Sequence, residues 1–246
     1  MLGYLDREGK RMENPKFSAG ARILRKLNGG KDIPFPTSEQ TLSLEEATSE
    51  YKNKPTNSEL LTQFMRSFWQ EAGQRIEKNI IVDKFPLTAK EILEKRGKGY
   101  MAIFVPEGVN RVDLGKMFSK MKSCAVQKEN SVEEAINNSG WLWVEVSVDA
   151  PNRNTTQREL KEKFKKERKQ GQSLITYIIG GQISKLLTGE YFDEGSTWSR
   201  LLGSCHRGGV FCAAFRPDDG LNVSSHWNPG YFNESMGGRS EKVIKP

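Results

Sequence analysis

The stretch WSRLLGSCHRGGVFCAAFRPDDGLNVSSHWNPGYFNESMGGRS, from Trp198 to Ser240, decides how this chain is read. It has no helical period. Short apolar alternations are separated by Gly, Pro, Asp and Asn, the pattern of short strands and irregular loops. Val210 to Phe215 and Leu221 to Trp227 read as strands. Side chains alternate across a strand, so Phe211, Ala213 and Phe215 face one way and Cys212, Ala214 and Arg216 the other. In the second strand Leu221, Val223, Ser225 and Trp227 oppose Asn222, Ser224 and His226. The apolar sets are expected to face the core.

The composition of this region is unusual for the chain. Between Lys185 and Lys242 there is no lysine and no glutamine, yet the whole chain holds 38 Lys and Arg. The same window contains both histidines, His206 and His226, with Cys205 and Cys212. Tyr231, Phe232 and Asn233, beside Pro229-Gly230, have the make-up of a recognition loop. Aromatics give contact area at small entropy cost, and Ser, Gly and Asn give adaptable hydrogen bonds. Arg207, Arg216, His206 and His226 add polar anchors. The expected ligand-binding face is therefore Cys205, His206, Arg207, Cys212, Ala214 and Arg216, continued by Asn222, Ser224, His226 and Asn228 and by Tyr231, Phe232 and Asn233.

Upstream, the helical period returns. Ser173 opens an apolar helix through Ile175, Ile178, Ile179 and Ile183, hydrophobic over most of its surface and so expected to be central. Its Gly180-Gly181 pair either weakens it or admits a close neighbour. Thr155 to Gln170 reads as a charged helix, and Trp141 to Val148 as a strand. Ser131 to Ile136 and Asp113 to Met121 read as short helices, and Tyr100 to Val105 as a strand. Thr88 caps a helix ending near Gly97. Another, with Ser58 as cap, carries Leu61, Phe64, Met65 and Phe68 at helical spacing. Residues 1–57 are polar and broken by Gly29-Gly30, Pro34, Pro36 and Pro55, with a short helix expected through Ala21 to Leu27.

Composition narrows the function classes. With 36% hydrophobic and 28% charged residues in 246, a packed core is expected. No run approaches the ~20 apolar residues of a membrane span, and no secretory-signal stretch opens the chain. Three cysteines give no disulfide framework. The net charge of +7 owes much to Lys161, Lys163, Lys165, Lys166, Arg168 and Lys169. These alternate with Glu159, Glu162 and Glu167, as on a solvent-facing helix with mixed pairs.

Several motifs together resemble a known family. Trp198-Ser199-Arg200-Leu201-Leu202-Gly203-Ser204, then Gly208-Gly209-Val210-Phe211-Cys212-Ala213-Ala214-Phe215, then Trp227-Asn228-Pro229-Gly230, then Met236-Gly237-Gly238-Arg239-Ser240 are similar to the C-terminal part of C-type-lectin-fold proteins of the formylglycine-generating-enzyme type. That family usually closes on Gly-Phe-Arg or Gly-Ala-Arg, and here the triplet is Gly237-Gly238-Arg239. Within the fold, the segment most resembles the variable region of diversity-generating-retroelement target proteins, above all archaeal and viral ones. Adenine-directed mutagenesis of Asn codons yields many residue types but not Lys, Gln, Glu, Met or Trp; Lys and Gln are absent from this window, and Trp227, Glu234 and Met236 would then be fixed positions or lie at other codon types. The resemblance covers ~50 residues. It implies an α+β, C-type-lectin-like domain over residues 99–246 with short irregular strands and a variable segment at about 198–239. A partly helical N-terminal extension, residues 1–98, precedes it.

The function implied is ligand binding without chemistry, toward a protein or glycan partner on another cell or particle. No cofactor and no metal is expected. Competing readings rest on other residues. The basic helix 155–170 suggests nucleic acid, but lacks interleaved aromatics as stacking platforms. Cys205, Cys212 and His226 are suitable types for a zinc site or a Cys/His nucleophile, but their spacing matches no compact finger and no acidic partner announces itself. They also fail to reproduce the cysteine pair that formylglycine-generating enzymes need.

Overall fold

The apolar helix that begins after Ser173 organises the molecule. A computed structural model describes residues 42–121, 126–127, 132–134, 138–206, 209–228, 230–231 and 234–245, apart from the side chains of 133, 206, 210 and 225–227. The expected helix through Ala21 to Leu27 lies outside these residues. The described chain is α+β, with six helices and two small sheets.

The helices are α1 (Leu44–Asn53), α2 (Ser58–Gln74), α3 (Ala89–Gly97), α4 (Arg111–Met117), α5 (Gln157–Lys166) and α6 (Leu174–Thr188). Each starts where a polar side chain satisfies the orphan N–H groups of its first turn. Ser43, Thr88, Thr156 and Ser173 form reciprocal capping boxes with the residue three positions on. Asn57, not Ser58, caps α2, its Oδ1 accepting from Glu59 and Leu60 N–H. In α6 every residue from Leu174 to Ser184 is buried. Its glycine pair serves close packing: a Cβ on Gly180 would stand 2.7 Å from the Phe192 ring, and one on Gly181 2.6 Å from the Phe215 ring. Two aromatic rings thus lie directly on the helix backbone.

The first sheet runs β1 (Tyr100–Val105), β3 (Gly140–Glu145), β9 (Ser240–Val243) and β4 (Gln170–Gly171), in the order β1-β3-β9-β4 and antiparallel throughout. The second orders β2 (Glu133–Glu134), β5 (Trp198–His206), β6 (Gly209–Arg216) and β7 (Gly220–Trp227). Here β8 (Met236–Gly238) adds to β5 in parallel, with Trp198 opposite Met236 and Arg200 opposite Gly238. Ser131 to Ile136 is therefore not a helix where described: Glu133 and Glu134 pair with Cys205 and Ser204. Strand pairing there overrides the helical preference of the two glutamates.

One main hydrophobic core joins most of these elements. It includes Tyr51, Phe64 and Trp69 of the first two helices, Ile103 and Val144 of the first sheet, Ile178 and Ile179 of α6, and Phe211 and Phe215 of β6. Trp69 Nε1 donates to Phe104 O (2.9 Å) across it. Residues Leu42–Pro246 form a single compact unit, so the boundary expected at residue 98 runs through a shared core. Helices α1 to α3 cover the β1 side of the first sheet because their apolar faces have no other surface to bury. No helix among the described residues is long and apolar enough to cross a membrane.

Candidate functional site

The C-terminal stretch changes sheets at one residue. Met236–Gly238 belongs to the second sheet, Ser240–Val243 to the first, and Arg239 sits between them, wholly buried. Close approach explains the two glycines before it. A Cβ on Gly237 would stand 2.1 Å from Pro151 O, and one on Gly238 2.3 Å from Leu160 Cδ2. Pro151 O, which a Gly237 side chain would strike, is the same oxygen that accepts from Gly238 N–H (2.9 Å).

Arg239 is held on every side. Its Nη2 donates to Asp193 Oδ1 (3.2 Å) and Val148 O (2.9 Å), its Nη1 to Ser147 O (2.6 Å), and its Nε to Ser199 Oγ (3.0 Å). The guanidinium carbon lies 4.1 Å from the Phe192 ring centroid. Asp193 is equally buried and accepts from Tyr177 Oη (2.9 Å), Thr197 Oγ1 (2.7 Å) and Ser199 Oγ (2.8 Å). A buried ion pair with its remaining hydrogen-bonding capacity filled is the form in which such a pair survives desolvation. It fastens α6, the Asp193 turn, β5 and the sheet crossover together.

A second buried guanidinium supports the surface. Arg200 on β5 is fully buried and faces no carboxylate among the described residues. Its Nη1 donates to Thr155 O (2.6 Å) and its Nη2 to Tyr231 O, while its Nε has no partner. Burial lowers its pKa below the ordinary arginine range. Above it the chain makes a tight turn. Asn228 Oδ1 accepts from Gly230 N–H (2.8 Å), and Asn228 O from Tyr231 N–H (2.9 Å). Asn228 and Tyr231 are both exposed, the latter by 41%.

The expected face divides when placed on this frame. Arg216, Asn222, Ser224 and Cys205 are half-buried, and Asn228 and Tyr231 are exposed. Arg216 lies over Trp198, 4.9 Å from ring centroid to guanidinium carbon, and its Nη1 donates to Gly195 O (2.5 Å). Cys212 and Ala214 are corrections: both are fully buried. They lie on the middle strand of the second sheet, and Cys212 packs with Met236 and Trp198. Both faces of β6 are therefore covered, and strict in–out alternation fails. Burial pushes the Cys212 thiol up to about 12, so it stays protonated at neutral pH and is a poor nucleophile. Arg207, Phe232 and Asn233 lie outside the described residues, as do the side chains of His206 and His226.

Of the core-facing set, Phe211, Ala213, Phe215 and Leu221 are buried, and Val223 is half-buried against the same core. Helix α5 buries Leu160 and Phe164 and turns Lys161, Lys163, Lys165 and Lys166 outward. Among the described residues, no three His, Cys, Asp or Glu side chains stand close enough to hold a metal ion.

Two further groups escaped the sequence reading. Glu134 on β2 and Glu241 on β9 meet the N-terminus of α6 from two sides. Glu241 accepts from Thr176 Oγ1, Ser173 N–H (3.4 Å) and Asn138 Nδ2 (2.6 Å). Ser204 Oγ donates to Glu134 and accepts from Leu174 N–H (2.7 Å). Burial, reinforced by Glu241, pushes the Glu134 carboxyl up to about 7. No periodicity marks either glutamate as buried; only their pairing with a helix terminus from distant strands does so. Set against this geometry, no family model, no curated protein and no solved structure matches the chain.

Proposed function

We propose that this chain is a ligand-display protein, a C-type-lectin-like domain of the formylglycine-generating-enzyme type whose C-terminal surface binds a protein or glycan without chemistry. The single observation that supports it most is the pairing of a buried tether with an exposed turn. Arg200, fully buried, holds the backbone oxygen of Tyr231, a residue that is itself exposed. Asn222, Ser224, Asn228 and Tyr231 then form a face of adaptable hydrogen-bonding groups around a rigid aromatic. Surface side chains away from caps and buried polar groups change stability by about half a kcal/mol or less, so such a face tolerates exchange. That tolerance is what membership of the retroelement-diversified class would require, and the absence of lysine and glutamine from 186–241 agrees with it. The archaeal or viral origin, and the absence of enzymatic activity, are part of the same proposal.

The test is a library of the full chain randomised at Asn222, Ser224, Asn228 and Tyr231. Most members are expected to keep the parent's protease resistance, and different members to capture different proteins or glycans from a defined panel. Widespread loss of resistance, or capture that ignores the randomised sequence, would overturn the reading. At the DNA level, the proposal expects a nearby reverse-transcriptase gene and a near-repeat of the final segment that differs at adenines.

A further inference from the structure

A second region, on the opposite side of the chain's chemistry, is lined for a ligand. A cavity of about 280 Å³ opens between α1, α3, β1 and α6. Tyr51, Tyr100, Met101, Val146 and Leu187 supply aromatic and apolar wall. Ser184 and Thr188 also line it, but their hydroxyls already serve Glu190 O (2.8 Å) and Ser184 O (2.8 Å). Two cations stand in the same wall, Lys52 in the last turn of α1 and Arg96 in the last turn of α3.

Arg75, Lys78, Lys98, Lys169, Lys185 and Arg239 each face a carboxylate. Neither Lys52 nor Arg96 has a carboxylate partner among the described residues. Arg96 makes one long bond, Nη1 to Tyr51 Oη (3.4 Å), in which the tyrosine accepts and keeps its own proton for another acceptor. Further positive charge lies alongside. The Lys169 ammonium sits 5.0 Å from the Tyr100 ring centroid. Lys95 is lowered in pKa, first by partial burial, then by repulsion from Lys242 and Lys98, with a weaker contribution from Lys169. Glu94 and Glu167 answer Lys98 and Lys169. Glu145 is the acidic group at Tyr100, accepting its hydroxyl proton (3.0 Å).

We propose that this cavity binds a small organic phosphate, its phosphate on Arg96 and Lys52 and its compact ring or apolar body against Tyr51, Tyr100, Met101 and Leu187. A fork of guanidinium donors beside a point-charge ammonium suits phosphate oxygens. The surplus of positive charge behind them favours a doubly charged head over a single carboxylate. The volume lies just under the usual small-ligand range of about 300–1,000 Å³, which admits one monophosphate ester and excludes a dinucleotide. The committed hydroxyls of Ser184 and Thr188 leave the body to be recognised by shape and apolar contact.

Adenosine monophosphate is the probe, titrated calorimetrically into the full chain, with inorganic phosphate, adenosine and a single-stranded oligonucleotide as comparisons. The monophosphate is expected to bind at least about tenfold more tightly than either phosphate or adenosine alone. Lys52→Ala with Arg96→Gln is expected to weaken it about ten- to a hundredfold, the range for lost hydrogen bonds to charged groups. Both positions are exposed, so the variant's melting temperature should match the parent's. Lys166→Ala, outside the cavity, is expected to change nothing. Adenosine binding as tightly as its monophosphate, an affinity untouched by the double substitution, preference for the oligonucleotide, or no heat at millimolar monophosphate would each overturn the proposal.

Discussion

Arg239 and Arg200 are both wholly buried in the C-terminal third, and they are treated in opposite ways. Arg239 has a buried carboxylate, three carbonyl or hydroxyl acceptors and an aromatic ring, and it stands where the chain passes from one sheet to the other. Arg200 has two carbonyl oxygens, an unpartnered Nε and no carboxylate among the described residues, and it stands beneath an exposed turn. The difference teaches where rigidity is concentrated. At the crossover, charge is compensated and the strand exchange is fixed. At the turn, a cation with no carboxylate among the described residues grips only backbone oxygens, so its hold does not depend on the Tyr231 side chain above it.

Breaking the compensated pair should have the largest effect. Asp193→Ala leaves Arg239 buried without its counter-charge and strips Tyr177, Thr197 and Ser199 of their shared acceptor. The expected loss is about 3–5 kcal/mol of unfolding free energy, the range for removing one partner of a buried pair. Urea denaturation measures it. Asp193→Leu combined with Arg239→Met should recover part of that loss, because no lone charge remains. A single-variant loss below about 1 kcal/mol would mean that Arg239 is no more constrained than Arg200.

Glu134 extends the contrast to a largely buried carboxylate that takes its hydrogen bond from a hydroxyl, Ser204 Oγ. Its folded-state pKa, about 7, lies above its ordinary 4.5, so the folded form holds a proton that the unfolded chain has already released between these values. Stability is therefore full below about pH 4.5, falls as pH rises toward 7, and stays reduced above it. Glu241, raised in the same direction chiefly by burial, adds to the slope. The Glu134 share is at most about 3 kcal/mol, from the size of the shift. Glu134→Gln should flatten the profile between pH 5 and 7 and stabilise the protein at pH 8. An unchanged slope would place the titration on Glu241 alone.

Arg200→Met sharpens the comparison on the other side. It removes a costly buried charge but leaves Thr155 O and Tyr231 O without a donor, so the two effects oppose each other. The net loss should be about 1–2 kcal/mol, well below that of Asp193→Ala. Amide exchange at Gly230 and Tyr231 should accelerate while exchange in α6 does not, since only the turn loses its tether. Equal acceleration throughout would make Arg200 a core residue like Arg239.

The sequence showed the contrast only partly, and the reasons are physical. Helix α6 was legible because eleven consecutive buried positions and a Ser173 cap leave no other reading. Strands β6 and β7 were legible from alternation. The outward side of β6 was misjudged because Cys212 packs with Trp198 and Met236 and Ala214 is buried as well, and nothing in a period of two reveals a second covering layer. Helix α1 was missed behind its polar composition, although Ser43 and Glu46 spell its capping box. Strands β8 and β9 are three and four residues long, too short to carry a period. The partners of Arg239 come from positions 40 or more residues away, and no period in the sequence marks Arg200 as buried. For the site, the exposed turn was foreseen from its aromatic and amide content, and the tether below it was not.

The smallest effect is expected where the comparison predicts indifference. Asn222→Ala, Ser224→Ala and Tyr231→Ala together remove side chains that are half-buried or exposed, and leave both arginines with all their acceptors, since Arg200 holds the backbone oxygen of Tyr231 and not its ring. Each should change stability by about 0.5 kcal/mol or less, and the triple variant should unfold within a few degrees of the parent. Adding Asn228→Ala should cost slightly more, because Asn228 Oδ1 closes the turn onto Gly230 N–H. If calorimetry finds the triple variant destabilised as strongly as Asp193→Ala, these side chains are part of the scaffold. The division between a fixed crossover and an exchangeable surface would then fail at the point where ligand display depends on it.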